Sequence, residues 1–222
     1  MARKIERLTL DTLALLPDEV RECLFWEREP VLRERAQVAG ELASEKQAWL
    51  SQALLEWGSA GRVILIDDDV VGVIVYAPPV YFPGSASLPT APISTDCVQL
   101  ATAYVRPAHR RAGLGRLLMQ AMAKDLIQRG GIRSVEAFGA TRPQAASPEV
   151  ASMHSCVLPA EFLLRVGFKT QRPHIQHPRM RLDLKSVLTW REELEAAVEK
   201  ILGAVRPTRL RKPAPETRNR SR

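Results

Sequence analysis

The sequence predicts a mixed α/β domain. Three observations carry the prediction: β-branched runs joined as hairpins, one central strand–loop–helix crossover, and amphipathic helical runs on either side. The chain has 222 residues, 45% apolar and 26% charged, which is ordinary for a globular protein with a real core. No run approaches the ~20 apolar residues of a membrane helix. Met1 to Leu10 lacks the apolar stretch of a signal peptide. A cytoplasmic protein with no membrane partner is therefore expected.

Residues 3–10 alternate apolar and polar side chains, as a half-buried strand does, and Asp11 can cap the helix after it. Pro17, Asp18 and Glu19 open a helical stretch carrying Val20, Cys23, Leu24 and Trp26. A long run of helix formers extends from about Val31 to Trp57 and ends at Gly58 and Gly61. Residues 62–66 and 70–76 read as a hairpin around Asp67, Asp68 and Asp69, a solvated turn rather than a metal site. Five prolines make residues 77–95 a loop. Residues 97–105 are the next strand. Leu114, Leu117, Leu118, Ala121, Met122 and Leu126 then keep helical spacing up to Gly130 and Gly131. Strands follow at 134–140, 168–172 and 180–184, with a loop over 141–158 and a short helix over 159–166. An amphipathic helix over about 186–204 closes a single domain, 1–204.

Residues 205–222 hold seven Arg and Lys against Glu216, and so account for +6 of the net charge of +7. The basicity belongs to a Pro- and Arg-rich tail expected to be disordered. Nucleic acid is therefore not an expected partner of the domain; only the tail has the chemistry for non-specific polyanion contact. Cys23, Cys97 and Cys156 are too few and too scattered for a disulfide framework, and they lack zinc-ligand spacing. His174 and His177 lack an acidic or Cys partner at ligand spacing, so no metal is expected.

The informative stretch is Val98 to Arg116: a strand, a Pro turn, a basic Gly-containing loop, then a helix. N–H groups at a helix start lack intrahelical partners, and the macrodipole adds positive charge there. Gly113 and Gly115 let a ligand approach the backbone, while Arg110, Arg111 and Arg116 supply cations. The pattern suits a diphosphate. A dinucleotide loop would need a third Gly where Leu118 stands, and the Gly-Lys-Ser/Thr of a phosphate loop never occurs.

Arg110-Arg111-Ala112-Gly113-Leu114-Gly115 fits the Gln/Arg-x-x-Gly-x-Gly/Ala signature of the GNAT (Gcn5-related N-acetyltransferase) family, and Val105-Arg106-Pro107 resembles its Val-x-Pro. Gly167-Phe168 resembles the family's Gly-Phe after a short helix. The resemblance implies a central, mostly antiparallel mixed sheet of six to seven strands flanked by helices, with the cofactor loop at a strand–helix junction. It implies acetyl-CoA as co-substrate, held by Arg110, Arg111, Ala112, Gly113, Leu114, Gly115 and Arg116, with Ala103 to Val105 along the pantetheine arm. It implies acetyl transfer to an amine acceptor; a small molecule, a peptide and a protein all remain open, as do monomer and homodimer. A CoA-binding sensor or scaffold without catalysis is the alternative.

The family's usual acid for the thiolate, a Tyr four residues before the Gly of Gly-Phe, is replaced by Leu163. Tyr104 is the candidate acid; Asp96, Glu136 and Glu27 are candidate bases, each with a structural reading beside it. His154 and Cys156 fall in a loop expected near the active centre. Glu27, Tyr81 and Phe82 are candidates to line the acceptor pocket, whereas Phe25 and Trp26 suit the core.

Overall fold

In the computed structural model, residues 3–141 and 156–185 are described. The 186–204 helix, the 205–222 tail and His154 lie outside the described residues. The chain starts with β1 (Arg3–Arg7), an edge strand whose five residues are all exposed. The alternation suggested half-burial, but β1 pairs only with the next strand, and burial begins at Leu8. The cap of α1 (Leu10–Ala14) is Thr9 rather than Asp11. Thr9 leaves the strand in an extended conformation, its Oγ1 accepts from Thr12 N–H at 3.2 Å, and Thr12 Oγ1 accepts from Thr9 N–H at 2.9 Å. Asp11 sits in the first turn, where the helix dipole favours an acid.

Helix α2 (Asp18–Arg21) is a single turn. The long helical run divides into α3 (Pro30–Ala39) and α4 (Leu42–Trp57). Gly40 causes the break: at φ 72° it turns the chain left-handed, and Glu41 N–H closes back on the Ala36 carbonyl at 2.8 Å. Gly58, also left-handed, stops α4.

Strands β2 (Gly61–Ile66) and β3 (Asp69–Ala77) form the expected hairpin. Its turn residues Asp67 and Asp68 have φ of 49° and 70°, the sign a tight hairpin turn requires. β4 (Cys97–Val105) pairs antiparallel with β3. Helix α5 (Leu114–Arg129) then crosses over to β5 (Ser134–Ala140), which pairs parallel with β4. A two-residue strand, β6 (Leu158–Pro159), pairs with β5 and leads into α6 (Ala160–Arg165). β7 (Lys169–Arg172) and β8 (Arg179–Asp183) complete a sheet ordered β1-β2-β3-β4-β5-β8-β7. The eighth strand, β6, is too short to leave a period in the sequence.

The central strands of the sheet are buried on both faces. Leu8, Leu13, Trp26, Trp49, Val63 and Phe82 pack on one side, under the early helices. Ile64, Ile74, Leu118, Met122, Leu163 and Phe168 pack on the other, under α5 and α6. The alternation of Val63 and Ile64 between the two clusters is the period of two that a strand imposes. Among the described residues no helix is long and apolar enough to cross a membrane.

Asp125 of α5 anchors the second layer. Its carboxylate pairs with Arg62, accepts the Tyr76 hydroxyl at 2.7 Å and meets Arg129 Nε at 3.2 Å. Asp125→Ala leaves two guanidinium groups and a buried phenol short of an acceptor. A loss of about 3 kcal/mol is expected, read as a lower urea midpoint at unchanged slope.

Candidate functional site

Two local features of β4 open the site. Tyr76 pairs with Leu100 and Val75 with Thr102, so Ala101 is an extra residue, a β-bulge. On its other edge β4 pairs with β5 only at Cys97–Ser134, Val98–Val135 and Gln99–Glu136. Beyond that rung the strands part, and β5 takes β6 as its partner at Gly139 and Ala140. The edge of β4 from Leu100 to Val105 therefore has no β5 partner.

A cavity of about 400 Å³ occupies the gap. Thr102, Ala103 and Tyr104 form one wall; Cys156, Val157 and Leu158 form the opposite one. Glu19, Val20 and Cys23 cover it, and Arg110 stands at the loop end. The volume falls within the range of small-ligand sites.

At that end the chain leaves β4 through a 3-10 turn, Pro107–His109. Arg110 Nε donates to the Val105 carbonyl at 3.0 Å. Arg111 (φ 64°) and Gly113 (φ 79°) are both left-handed, and Gly113 is the N-cap of α5. The first intrahelical bond runs from Leu117 N–H to the Gly113 carbonyl at 3.2 Å. The N–H groups of Leu114 and Gly115 precede it and so have no intrahelical acceptor. Arg111 and Arg116 are exposed beside them. This is a cradle of donors and positive charge fit for a phosphate or diphosphate. The glycines have different reasons to be there. A Cβ on Gly113 would meet open space, so its left-handed backbone is what matters. A Cβ on Gly115 would lie 3.1 Å from the Phe162 ring, so Gly115 also lets α6 pack on α5.

Of the candidate catalytic residues, the structure brings Tyr104 to the cavity. Burial and a hydrogen bond to Glu19 push its phenol up, so it stays protonated. Asp96 and Glu136 lie at the closed end of the β4–β5 pair, committed to arginines. Arg181 donates to Asp96 at 2.8 Å and holds its carboxyl down at about 2. Glu136 is fully buried, accepts from Ser94 Oγ at 2.8 Å, and pairs with Arg181 at 3.2 Å and Arg179 at 3.3 Å. Glu27 is fully buried too, bound to Lys46 at 2.5 Å.

Neither Tyr81 nor Phe82 is among the residues lining this cavity. The Tyr81 hydroxyl donates to Glu56 at 2.9 Å, and Phe82 is a core side chain against Trp49. Trp26 and Phe25 are core residues. Leu163 is fully buried in the second layer and offers no proton.

Sequence reading missed three residues. Glu19 looked like an ordinary first-turn acid and Cys23 like a helical apolar position. Gln99 is buried at the root of the gap, and both carboxamide atoms lack a partner among the described residues. An unmet amide of this kind costs about 1–3 kcal/mol, which a bound polar group would offset. Only tertiary structure distinguishes these three.

The sequence matches the model of the acetyltransferase (GNAT) family over residues 21–151. Among solved structures, the N-acetyltransferase of Staphylococcus aureus Mu50 superposes with a TM-score of 0.52 at 14% identity, covering 83% of this chain and 99% of its own. PaiA N-acetyltransferase of Thermoplasma acidophilum, in complex with coenzyme A, gives 0.50 at 14% identity, covering 82% and 99%. YncA of Salmonella typhimurium, with its cofactor acetyl-CoA, gives 0.50 at 18% identity, covering 83% and 95%. No curated protein is matched by the sequence.

Two outcomes are expected. Gly113→Ala lowers stability by about 1 kcal/mol despite the open space, and Gly113→Asn, which tolerates the left-handed region, costs less; urea midpoints compare them. The lowered Asp96 pKa gives stability that is present above the unfolded value of ~3.9 and is lost as pH falls through the folded value. The stability gap between the parent protein and Asp96→Asn therefore narrows as pH drops from about 4 towards about 2, measured by denaturant titration across that window.

Proposed function

The chain belongs to the acetyltransferase (GNAT) family, and from that premise we propose that it transfers the acetyl group of acetyl-CoA to a primary amine by direct attack. The observation that carries the reading is the gap between β4 and β5, continuous with the donor-lined loop at the start of α5. A diphosphate on the loop would direct an extended arm along the unpaired edge of β4, as far as the bulge at Ala101.

Acetyl-CoA supplies an activated acyl carbon, and the protein's part is to position it and move protons. First-turn N–H groups and the arginines Arg110, Arg111 and Arg116 hold the diphosphate. Backbone N–H groups along Ala101 to Ala103 face the thioester carbonyl and take up its developing negative charge. Holding thioester and amine together is the largest single help available. Tyr104, kept protonated beside Glu19, is the acid for the departing thiolate. Gln99 accepts a hydrogen bond from the amine at the root of the gap, and the proton the amine gives up after attack passes to solvent, balancing the one Tyr104 gives to the thiolate.

Leu163 in the core and the arginine-bound carboxylates favour a second reading, a CoA-binding protein with weak or no transfer. An amine-panel assay following free CoA separates the two: acyl-acceptor-dependent release supports transfer, and binding without release supports the sensor.

Calorimetry with acetyl-CoA tests the seat. Gly113→Glu places bulk and negative charge at the diphosphate and is expected to abolish binding, while Gly113→Asn, which shares the backbone demand, retains it. Tyr104→Phe is expected to lower kcat by about 10²-fold with acetyl-CoA affinity preserved. Gln99→Leu removes an unmet amide, so its melting temperature should equal or exceed the parent's while transfer slows.

A further inference from the structure

Cys23 follows α2 and Cys156 precedes β6, 133 positions apart in the chain, yet their Sγ atoms lie 3.1 Å apart. Neither is in a disulfide, both are half-buried thiols, and both line the cavity. Cys23 thus belongs to the cover of the cavity and Cys156 to the wall opposite β4. Indole Nε1 of Trp26 donates to the Cys156 carbonyl at 3.1 Å, which ties the segment after Cys23 to the same wall. A disulfide needs an S–S length of about 2.05 Å, so an approach of roughly one ångström completes the bond.

We propose that Cys23 and Cys156 are a redox modification site: a peroxide converts the pair to a disulfide, a dithiol restores it, and the oxidised protein binds acetyl-CoA more weakly. The Cys156 thiolate attacks one peroxide oxygen and becomes a sulfenic acid, releasing hydroxide, which takes the proton of the original thiol to give water. The Cys23 sulfur then attacks the sulfenic sulfur, the S–S bond forms, and a second water leaves with the Cys23 proton. Two thiols and one peroxide become one disulfide and two waters. The order follows from the contact between the thiols. The two sulfurs share an S–H contact, and this contact, followed by burial, pushes the Cys23 thiol up. A thiol held protonated in this way is the poorer first nucleophile, which leaves the first attack to Cys156. Cys97 is the internal control: burial pushes its thiol up to about 12, and its partners are Asp96, Ser134 and Arg181 rather than a sulfur.

The bond would pin the cover to the wall and narrow the space between. The cross-link stands on the thiol geometry alone; its effect on affinity rests on the proposed seat of acetyl-CoA in this cavity.

The full chain, reduced and then treated with stoichiometric hydrogen peroxide, tests both parts. The expected product has lost two hydrogen atoms by intact mass, yields a peptide joining Cys23 to Cys156, keeps Cys97 free, and reverts with dithiothreitol. Calorimetry should show acetyl-CoA affinity lower by about fivefold or more in the oxidised form. Cys23→Ser and Cys156→Ser, each compared with its own affinity before treatment, should show no change in acetyl-CoA affinity after peroxide. Stable oxygen adducts without the cross-link, or a cross-link through Cys97, would overturn the site. A 23–156 cross-link with unchanged affinity would overturn its link to the cofactor. If the reduced protein bound no acetyl-CoA, the cavity assignment would fall, and the affinity claim with it, while the mass measurement still judged the disulfide.

Discussion

The parting of β4 and β5 after the Gln99–Glu136 rung is the constraint on which the rest of the site depends. A continuous ladder would leave no edge for a ligand and no cavity. Three elements keep the strands apart. The bulge at Ala101 turns β4, β6 occupies the neighbouring edge of β5, and the Glu136–Arg179–Arg181 ion pairs pin the rung at the root. The closed end is thus built from charge, and the open end from unspent backbone donors. A buried carboxylate with two arginines and a serine is expensive to disturb, which suits a hinge point better than a base.

That division also sorts the titratable groups. Asp96 and Glu136 are both bound by arginines, and a carboxylate held down at about 2, as Asp96 is, is a poor proton acceptor at neutral pH. Tyr104 and Glu19 face the cavity instead, with burial and their mutual hydrogen bond keeping the phenol protonated. A Leu at position 163 is consistent with this shift: that position has become core, and a hydroxyl on β4 stands in the cavity.

Much of the fold was legible in the sequence. β4 and β5 begin and end where the sequence reading placed strands, although Gln99 and Glu136 interrupt their apolar runs. The strand–turn–helix setting of Gly113 was legible for local reasons. What was missed is tertiary or very short. Gly40 breaks a run whose composition is helical throughout, through its backbone angle alone. β6 exists only as a partner for β5. Glu19, Cys23 and Gln99 acquire meaning from what folds against them: each has an ordinary reading in sequence, and only the cavity or its root joins them, whereas Cys156 lines the cavity from the loop expected to approach it. Conversely, Glu27 and Phe82 carried chemistry or aromatic area suited to a pocket, and the early helices buried both.

The central claim is that one ligand, acetyl-CoA, bridges the α5 loop and the unpaired edge of β4. Amide hydrogen exchange with and without acetyl-CoA tests it most directly, because the amides concerned should be those left without backbone acceptors. The account predicts protection confined to two stretches, Arg111 to Arg116 and Leu100 to Val105, with little change in β1, β2 or β7. Protection absent from both stretches, or centred on another face of the sheet, would contradict it.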